Sequence, residues 1–350
     1  MNIINIVKTS IGNENDALFQ NQISTLRRQF QSSNINIILG AGFSYGVARL
    51  LGNIEKRLST AESSNYDNNE VLTIKKEFFE KSILPMADCE KVKFGESERI
   101  RFFGIIKKII ENRQSSILHK IINVYTTNYD LLIESALEKS HIEYIDGFSG
   151  KLQPVFSTAN YGMILSRQTS ISSMTSEVVT FNLYKVHGSL NWKCEGSEIH
   201  CCNHVESIKN IEQHMDTDDF DTYYSSLAII NPTKDKLKQT VLNVNYYDQL
   251  RMYCNELEKS NTILLSFGFS FADEHISQMT QRSLKGNPTF SLIIFSFNEE
   301  STKEYVKLFR DYSNVIILQL VEQDEEPLSV LNFTQEDVNN ILEEVYNGTK

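Results

Sequence analysis

The sequence predicts an α/β fold: a doubly wound, mainly parallel, Rossmann-like sheet with an inserted helical layer. Apolar runs of strand length alternate with amphipathic segments of helical period over most of the 350 residues, the pattern of repeated βαβ units. Residues 71–120 hold no strand-like run and read helical throughout, as an insertion would. Four short polar motifs each follow a run that reads as a buried strand. In a parallel sheet those ends share one edge, the edge at which open α/β sheets bind ligands.

Residues 14–32 carry Leu18, Ile23, Leu26 and Phe30 among polar neighbours, the mark of an amphipathic helix. The next strand, Ile35 to Leu39, ends in Gly40-Ala41-Gly42-Phe43-Ser44, after which Val47, Leu50, Leu51, Ile54 and Leu58 recur at helical spacing. A polar patch from Ser59 to Glu70 leads into the helical insertion. Strand Ile121 to Tyr125 runs into Thr126-Thr127-Asn128-Tyr129-Asp130, followed by a helix over 130–139 and a strand over 142–145. Residues 146–178 are rich in Ser, Thr, Gln and Asn and read as irregular. Further strands are expected near 179–186, 225–231, 262–267, 289–297 and 314–320. His187-Gly188-Ser189 follows the first of these, and Gly268-Phe269-Ser270 follows the third. Thr334-x-x-Asp337 is a capping pattern that opens a last helix over 334–346. The implied organisation is a helical extension over 1–33, one domain over 34–320 with insertions at about 59–120 and 146–178, and a helical tail over 321–350.

Composition narrows the function. A net charge of −11 and a pI near 5.2 argue against direct binding to nucleic acid or an anionic membrane. Met1 to Ser10 lacks the charged and apolar regions of a secretory signal, and no apolar stretch reaches the length of a membrane span. Five cysteines, an odd number, do not read as a disulfide framework. The expectation is a soluble protein of the cytoplasm.

Gly40-Ala41-Gly42 stands between strand and helix, where a nucleotide phosphate meets backbone N–H groups and the positive end of a helix. The spacing is Gly-x-Gly-x-x-x-Gly, because Gly46 stands one place beyond the position of a dehydrogenase's third glycine, here Tyr45. No second strand ends in an acidic residue about 20 positions later, which disfavours hydride transfer. Tight strand–helix packing is the other role open to these glycines. Asn128 and Asp130 can shape a turn and cap a helix, and His187 can be held by local bonds. Together the three also supply what glycosidic cleavage needs. Asn128 can hydrogen-bond a ribose or a water, and Asp130 can support positive charge or orient a neighbour. His187 can take a proton near neutral pH, an imidazole's ordinary pKa being about 6.5.

GAGFS, TTNYD and KVHGSLNW resemble the GAGxS, TQNxD and HG signatures of the sirtuin-like (silent information regulator) NAD-consuming domains. LLSFGFSFADEHI and Ile229-Ile230-Asn231-Pro232-Thr233 resemble segments of that family's divergent bacterial branch. The resemblance spans about residues 30 to 300. It implies that Gly40, Ala41, Gly42 and Ser44 hold the pyrophosphate and adjacent ribose of NAD, with Phe43 and Thr127 also among the residues that bind it. Asn128 and Asp130 would engage the nicotinamide ribose and the attacking water, with His187 as base. Gly268, Ser270 and Asn298 would line the adenosine half.

Departures from the protein-deacylating members shape the expected activity. Tyr45-Gly46-Val47-Ala48-Arg49-Leu50-Leu51 stands where those enzymes carry Ala-Gly-Ile-Pro-Asp-Phe-Arg. Cys194, Cys201, Cys202 and Cys254 lack the paired Cys-x-x-Cys spacing of their zinc site. A site drawn from Cys194, His200, Cys201, Cys202 and His204 is a poor fit, so no metal is expected. The resemblance therefore implies an NAD glycohydrolase, releasing nicotinamide and ADP-ribose, that acts in bacterial antiphage defence by NAD depletion. It further implies a homo-oligomer partnered by a HerA-type hexameric ATPase. A protein deacylase or ADP-ribosyltransferase, and a sensor that binds NAD or ADP-ribose without cleaving it, remain as alternatives. Leu18, Leu26 and Phe30, with Val338, Ile341 and Leu342, either supply oligomer or partner contacts or cover the faces of the sheet.

Overall fold

The computed structural model describes residues 1–13, 15–47, 57, 68–114, 117–168, 174–212, 215, 218–229, 240–322 and 329–348. The main-sheet strands are β1 (Asn2–Val7), β2 (Asn34–Leu39), β3 (Ile121–Thr126), β4 (Glu143–Ile145), β5 (Thr180–Lys185), β6 (Thr262–Phe267), β7 (Phe290–Ser296) and β8 (Val315–Val321). They lie in the order β1-β8-β7-β6-β2-β3-β5-β4, and every pairing is parallel. From β2 the chain moves to β3 on one side, and β6 later adds on the other. The gap between β2 and β6 is thus a topological switch point.

The inner strands are apolar almost throughout because helices cover both faces. Helices Ala17–Ser32, Glu96–Glu111, Leu132–Lys139 and Gln335–Asn347 pack on one face. Thr240–Glu258, Glu274–Gly286 and Glu299–Phe309 pack on the other. The α/β prediction holds.

Register is fixed by polar groups inside the sheet. Asn36, Asn123 and Asn182 stand side by side on β2, β3 and β5 and are buried. Asn123 donates to Asn36 Oδ1 at 2.9 Å, Asn182 donates to Asn123 Oδ1 at 3.1 Å, and Asn36 donates to Ile263 O at 3.4 Å. A one-residue slip would break this ladder and strand buried amides.

Two features differ from expectation. Asn2–Val7 is a strand, paired along its length with β8, where only a helical extension was expected. Its half-exposed edge position allows Asn2 and Asn5 among its apolar residues, so no buried-strand run marks it. The region after His187 forms an antiparallel sheet ordered Leu227–Ile229, Gly188–Glu195, Glu198–Cys201, Val155–Phe156, Phe148–Ser149. Trp192 anchors it, its ring 4.6 Å from that of Phe156 and 5.7 Å from that of Phe148. The strand expected near 225–231 belongs to this second sheet. Of the two roles open to the terminal helices, covering the sheet is the one these residues take: Leu26, Phe30, Val338, Ile341 and Leu342 are buried in the chain's own core, and Leu18 alone of that set is exposed. The helix expected beyond Val47 and the Ile230–Thr233 segment lie outside the described residues.

The tail helix opens as its capping pattern predicts. The Thr334 side chain accepts from Asp337 N, and the Asp337 carboxylate accepts from Thr334 N.

The asparagine ladder gives a stability prediction. Asn123→Val leaves Asn36 Oδ1 and Asn182 Nδ2 without their partners in a dry sheet, at about 1–3 kcal/mol for each unsatisfied group. Urea unfolding should show a loss of about 2–6 kcal/mol with an unchanged m-value.

Candidate functional site

Parallel register sets Leu39 opposite both Phe267 and Thr126, and Thr126 opposite Lys185. Gly40, Gly268, Thr127 and Val186 are the first residues past that row. The four motifs therefore leave the sheet level with one another.

The glycine loop folds as a tight turn over Ala41–Ser44 and is packed against the loop after β6. Gly40 N–H donates to Phe267 O at 3.2 Å, Gly42 N–H to Gly268 O at 3.0 Å, and Phe43 N–H to Gly40 O at 2.9 Å. A Cβ at Gly42 would stand 2.5 Å from Gly268 Cα, and one at Gly268 2.6 Å from Gly42 Cα. Gly268 also has φ +62°, in the left-handed region. So the glycines let two loops touch at the switch point, and three of the N–H groups expected to cradle phosphate are already engaged. Phe43 likewise departs from its expected role. Its ring is buried against Phe102, Phe103 and Phe267 at 5.7, 5.8 and 6.3 Å, anchoring the loop in the core. Ala41 is exposed.

Ser44 is the hub of a buried hydrogen-bond chain. Its hydroxyl donates to Asp130 Oδ2 at 2.6 Å and accepts from Asn128 Nδ2 at 2.9 Å. Asn128 Nδ2 also donates to Gly40 O at 2.9 Å. A carbonyl oxygen can only accept, so the amide must face it with nitrogen. Both amide hydrogens are thereby engaged, and Oδ1 is the atom that Asn128 can offer to a water or a ribose hydroxyl. Asp130 Oδ1 accepts from Leu132 N at 3.1 Å, tying down the start of helix Leu132–Lys139. Asp130 thus does local capping work and orients Asn128 through Ser44.

The end of β5 is locked to the same loop. Lys185, buried, donates to Asp130 O and reaches Glu134 Oε1 at 3.0 Å. Burial pushes the Glu134 carboxyl up, and the Lys185 charge opposes that rise. Leu190 N–H and Ser189 Oγ donate to Tyr129 O at 3.0 and 3.3 Å. Gly188, at φ +82°, has no room for a side chain, since a Cβ there would lie 1.9 Å from Ala228 O. His187 is nine-tenths buried, its ring centroid 6.5 Å from that of Tyr129 and 5.9 Å from that of Tyr246. Its Nε2 lies 3.1 Å from Asp273 Oδ2, beyond the fourth motif. All four motifs are joined by contact: Gly42 to Gly268, Ser44 to Asn128 and Asp130, and Tyr129 to Ser189 and His187.

Thr127 is half-buried beside Asn128. Ser270 and Asn298 line an open groove of about 760 Å³ between helices Glu274–Gly286 and Glu299–Phe309, which Glu274, Glu300 and Glu304 also line. Asn298 Oδ1 accepts from Ser301 N at 2.9 Å and so caps the second helix. Between Ser270 and the first helix, Phe271 holds a left-handed φ of +56° with its ring buried. Cys194 pairs across the hairpin with Ile199, not with another ligand type, and Cys201 with Trp192. Among the described residues no group of three or more His, Cys, Asp and Glu gathers as a metal site would. None of their helices is long and apolar enough to cross a membrane.

Sequence reasoning gave no role to Lys185, Glu134, Asp273 or Tyr246. Lys185 carried a signal, a charge closing an otherwise uncharged strand. Asp273 carried a weaker one, an N-cap residue three positions after Ser270.

Paired glycine substitutions test the loop contact. Gly42→Ala forces the two loops apart and should cost about 1–3 kcal/mol by thermal unfolding. Gly104→Ala, in a helix with nothing within 4 Å of its new Cβ, should instead gain roughly 0.5–1 kcal/mol.

The family described as "SIR2-like domain" matches residues 122–317, more than half of the chain. That span contains Asn128, Asp130, His187, Gly268, Ser270 and Asn298, while the glycine loop precedes it. No curated protein is similar enough to match. With its parallel sheet and interlocked strand-end motifs, the chain belongs to the SIR2-like domain family of NAD-dependent enzymes.

Proposed function

We propose that the protein is an NAD glycohydrolase, cleaving NAD with water to nicotinamide and ADP-ribose. The observation that carries this reading is the fixed Asn128 amide, held by Gly40 O and Ser44 so that Oδ1 is its acceptor. An acceptor at the strand-end edge suits a water or a ribose hydroxyl. His187 closes the same ring of contacting loops, and a protein that only bound NAD would need no base.

Nicotinamide in NAD is a cationic leaving group. As the C1′–N bond breaks, its electron pair passes to the nicotinamide nitrogen and the ribose takes on oxocarbenium character. The water oxygen bonds to C1′ and its proton passes to His187. Asn128 positions the water or the ribose, and a preformed site of this kind needs little reorganisation as charge develops. Ser270 and Asn298, in the groove beyond β6 and β7, would take the adenosine half.

The same reading extends to the setting. An unregulated hydrolase of NAD would exhaust its host, which supports control by assembly. The protein is then an effector of bacterial antiphage defence, a homo-oligomer engaged by a HerA-type hexameric ATPase. Its contacts lie elsewhere than Leu26, Phe30, Val338, Ile341 and Leu342, which fill its own core.

Incubation of the pure protein with NAD, with and without the ATPase, and separation of nicotinamide and ADP-ribose tests the activity. His187→Ala should lower turnover by about 10²-fold or more, with a stability cost of about 0.5–3 kcal/mol for the buried ring it removes. Asn128→Ala should do the same at a stability cost of about 1–3 kcal/mol, since it leaves Gly40 O short of a donor. Near-parental hydrolysis by His187→Ala would sink the base assignment. A parent inactive under every condition would sink the hydrolase reading.

A further inference from the structure

We infer that Asp273 is the positioning residue for His187, holding its ring in the cleft and favouring its protonated form; this rests on the hydrolase reading for its place in turnover. Asp273 comes from a different strand end, three positions after Ser270. Its two oxygens have different tasks. Oδ1 accepts from His275 N at 3.0 Å and Ile276 N at 3.1 Å, fixing the carboxylate at the start of helix Glu274–Gly286. Oδ2 stands 3.1 Å from His187 Nε2. The two atoms are close but not aligned as an in-line hydrogen bond, and such contacts commonly tighten when substrate binds.

A helix start needs only one oxygen, and Ser, Thr or Asn would cap as well. The contact to His187 is what requires a second oxygen and a charge. The two side chains are 10% and 11% exposed, so water screens their attraction little. Asp273, Tyr129 and Tyr246 are titratable groups that face the ring. Burial, with the Asp273 charge behind it, pushes the Tyr246 phenol well above its ordinary range, so that group stays neutral. Asp273 is therefore the charged group of the three.

Two consequences follow for the imidazole. A carboxylate at Nε2 favours the tautomer with its proton there, so Nδ1 is the nitrogen that takes the proton from water. The same carboxylate stabilises the imidazolium formed when that proton arrives, which makes His187 a stronger base. The rings of Tyr129 and Tyr246 hold the imidazole plane while this happens.

Asp273→Asn and Asp273→Ser keep the helix cap and remove the charge. Histidine-labelled NMR spectra, with the His187 signal assigned from His187→Gln, give the titration midpoint of the ring without any need for activity. In Asp273→Asn the midpoint should fall by about one pH unit or more, with the melting temperature near the parent's. Turnover should fall at least about tenfold in kcat, with KM held within about threefold, and the acid limb of the pH profile should move to lower pH. An unmoved midpoint in both variants would overturn the inference. So would a lowered midpoint with parental kcat. If the parent shows no turnover at all, the hydrolase reading fails, and the midpoint alone decides whether Asp273 holds the ring.

Discussion

Everything at the site depends on four strands ending in one transverse row. Leu39, Thr126, Lys185 and Phe267 are level because the pairings of β2, β3, β5 and β6 are in strict parallel register. The asparagine ladder three residues earlier holds that register. A slip would be costly twice over, stranding buried amides and turning apolar faces toward the wrong helices. Loops that leave a fixed row have few ways to cross, so short loops suffice to build a precise constellation.

The loops are then tied by polar groups in a dry setting. Ser44 between Asn128 and Asp130, and Lys185 between Asp130 and Glu134, form a network in which each member orients another. Such networks are stabilising when satisfied and expensive when broken. A buried ion pair like Lys185–Glu134 is a poor source of net stability, because desolvation offsets its attraction. Its value here is in aim: with the Lys185 bond to Asp130 O, it holds the end of β5, and hence His187, against the loop that carries Asn128 and the helix after it. The three glycines at the switch point act in the same sense, since only bare backbone can close that gap.

The second sheet and the helical insertion complete the surroundings. Gly188 turns the chain out of the main sheet, and Trp192 pins the hairpin that follows. Helices of the insertion pack with Leu132, Leu190 and Ile229 into a third apolar cluster above the strand ends. Phe94 lies so close to Gly46 that a Cβ there would stand 2.1 Å from its ring. The insertion therefore bears directly on the segment after the glycine loop.

Much of this was determined by the sequence alone. Period and apolar content mark β2, β3, β5, β6, β7 and β8, and their polar ends mark the edge that carries Asn128, His187 and Gly268. These signals are local, because a strand buried on both faces must be apolar and a ligand edge must be polar. Only the tertiary structure decided the roles within that edge. Phe43 is a core residue, the glycines of Gly40-Ala41-Gly42 face another loop, and Asn128 offers its oxygen because distant Gly40 and Ser44 claim its hydrogens. Asn2–Val7 becomes a strand because β8, more than 300 residues away, supplies its partner. Lys185 and Asp273 act across strands that are far apart in the chain. Pair interactions of that kind leave no period or spacing in the sequence, and they exist only once the sheet has set its strands side by side.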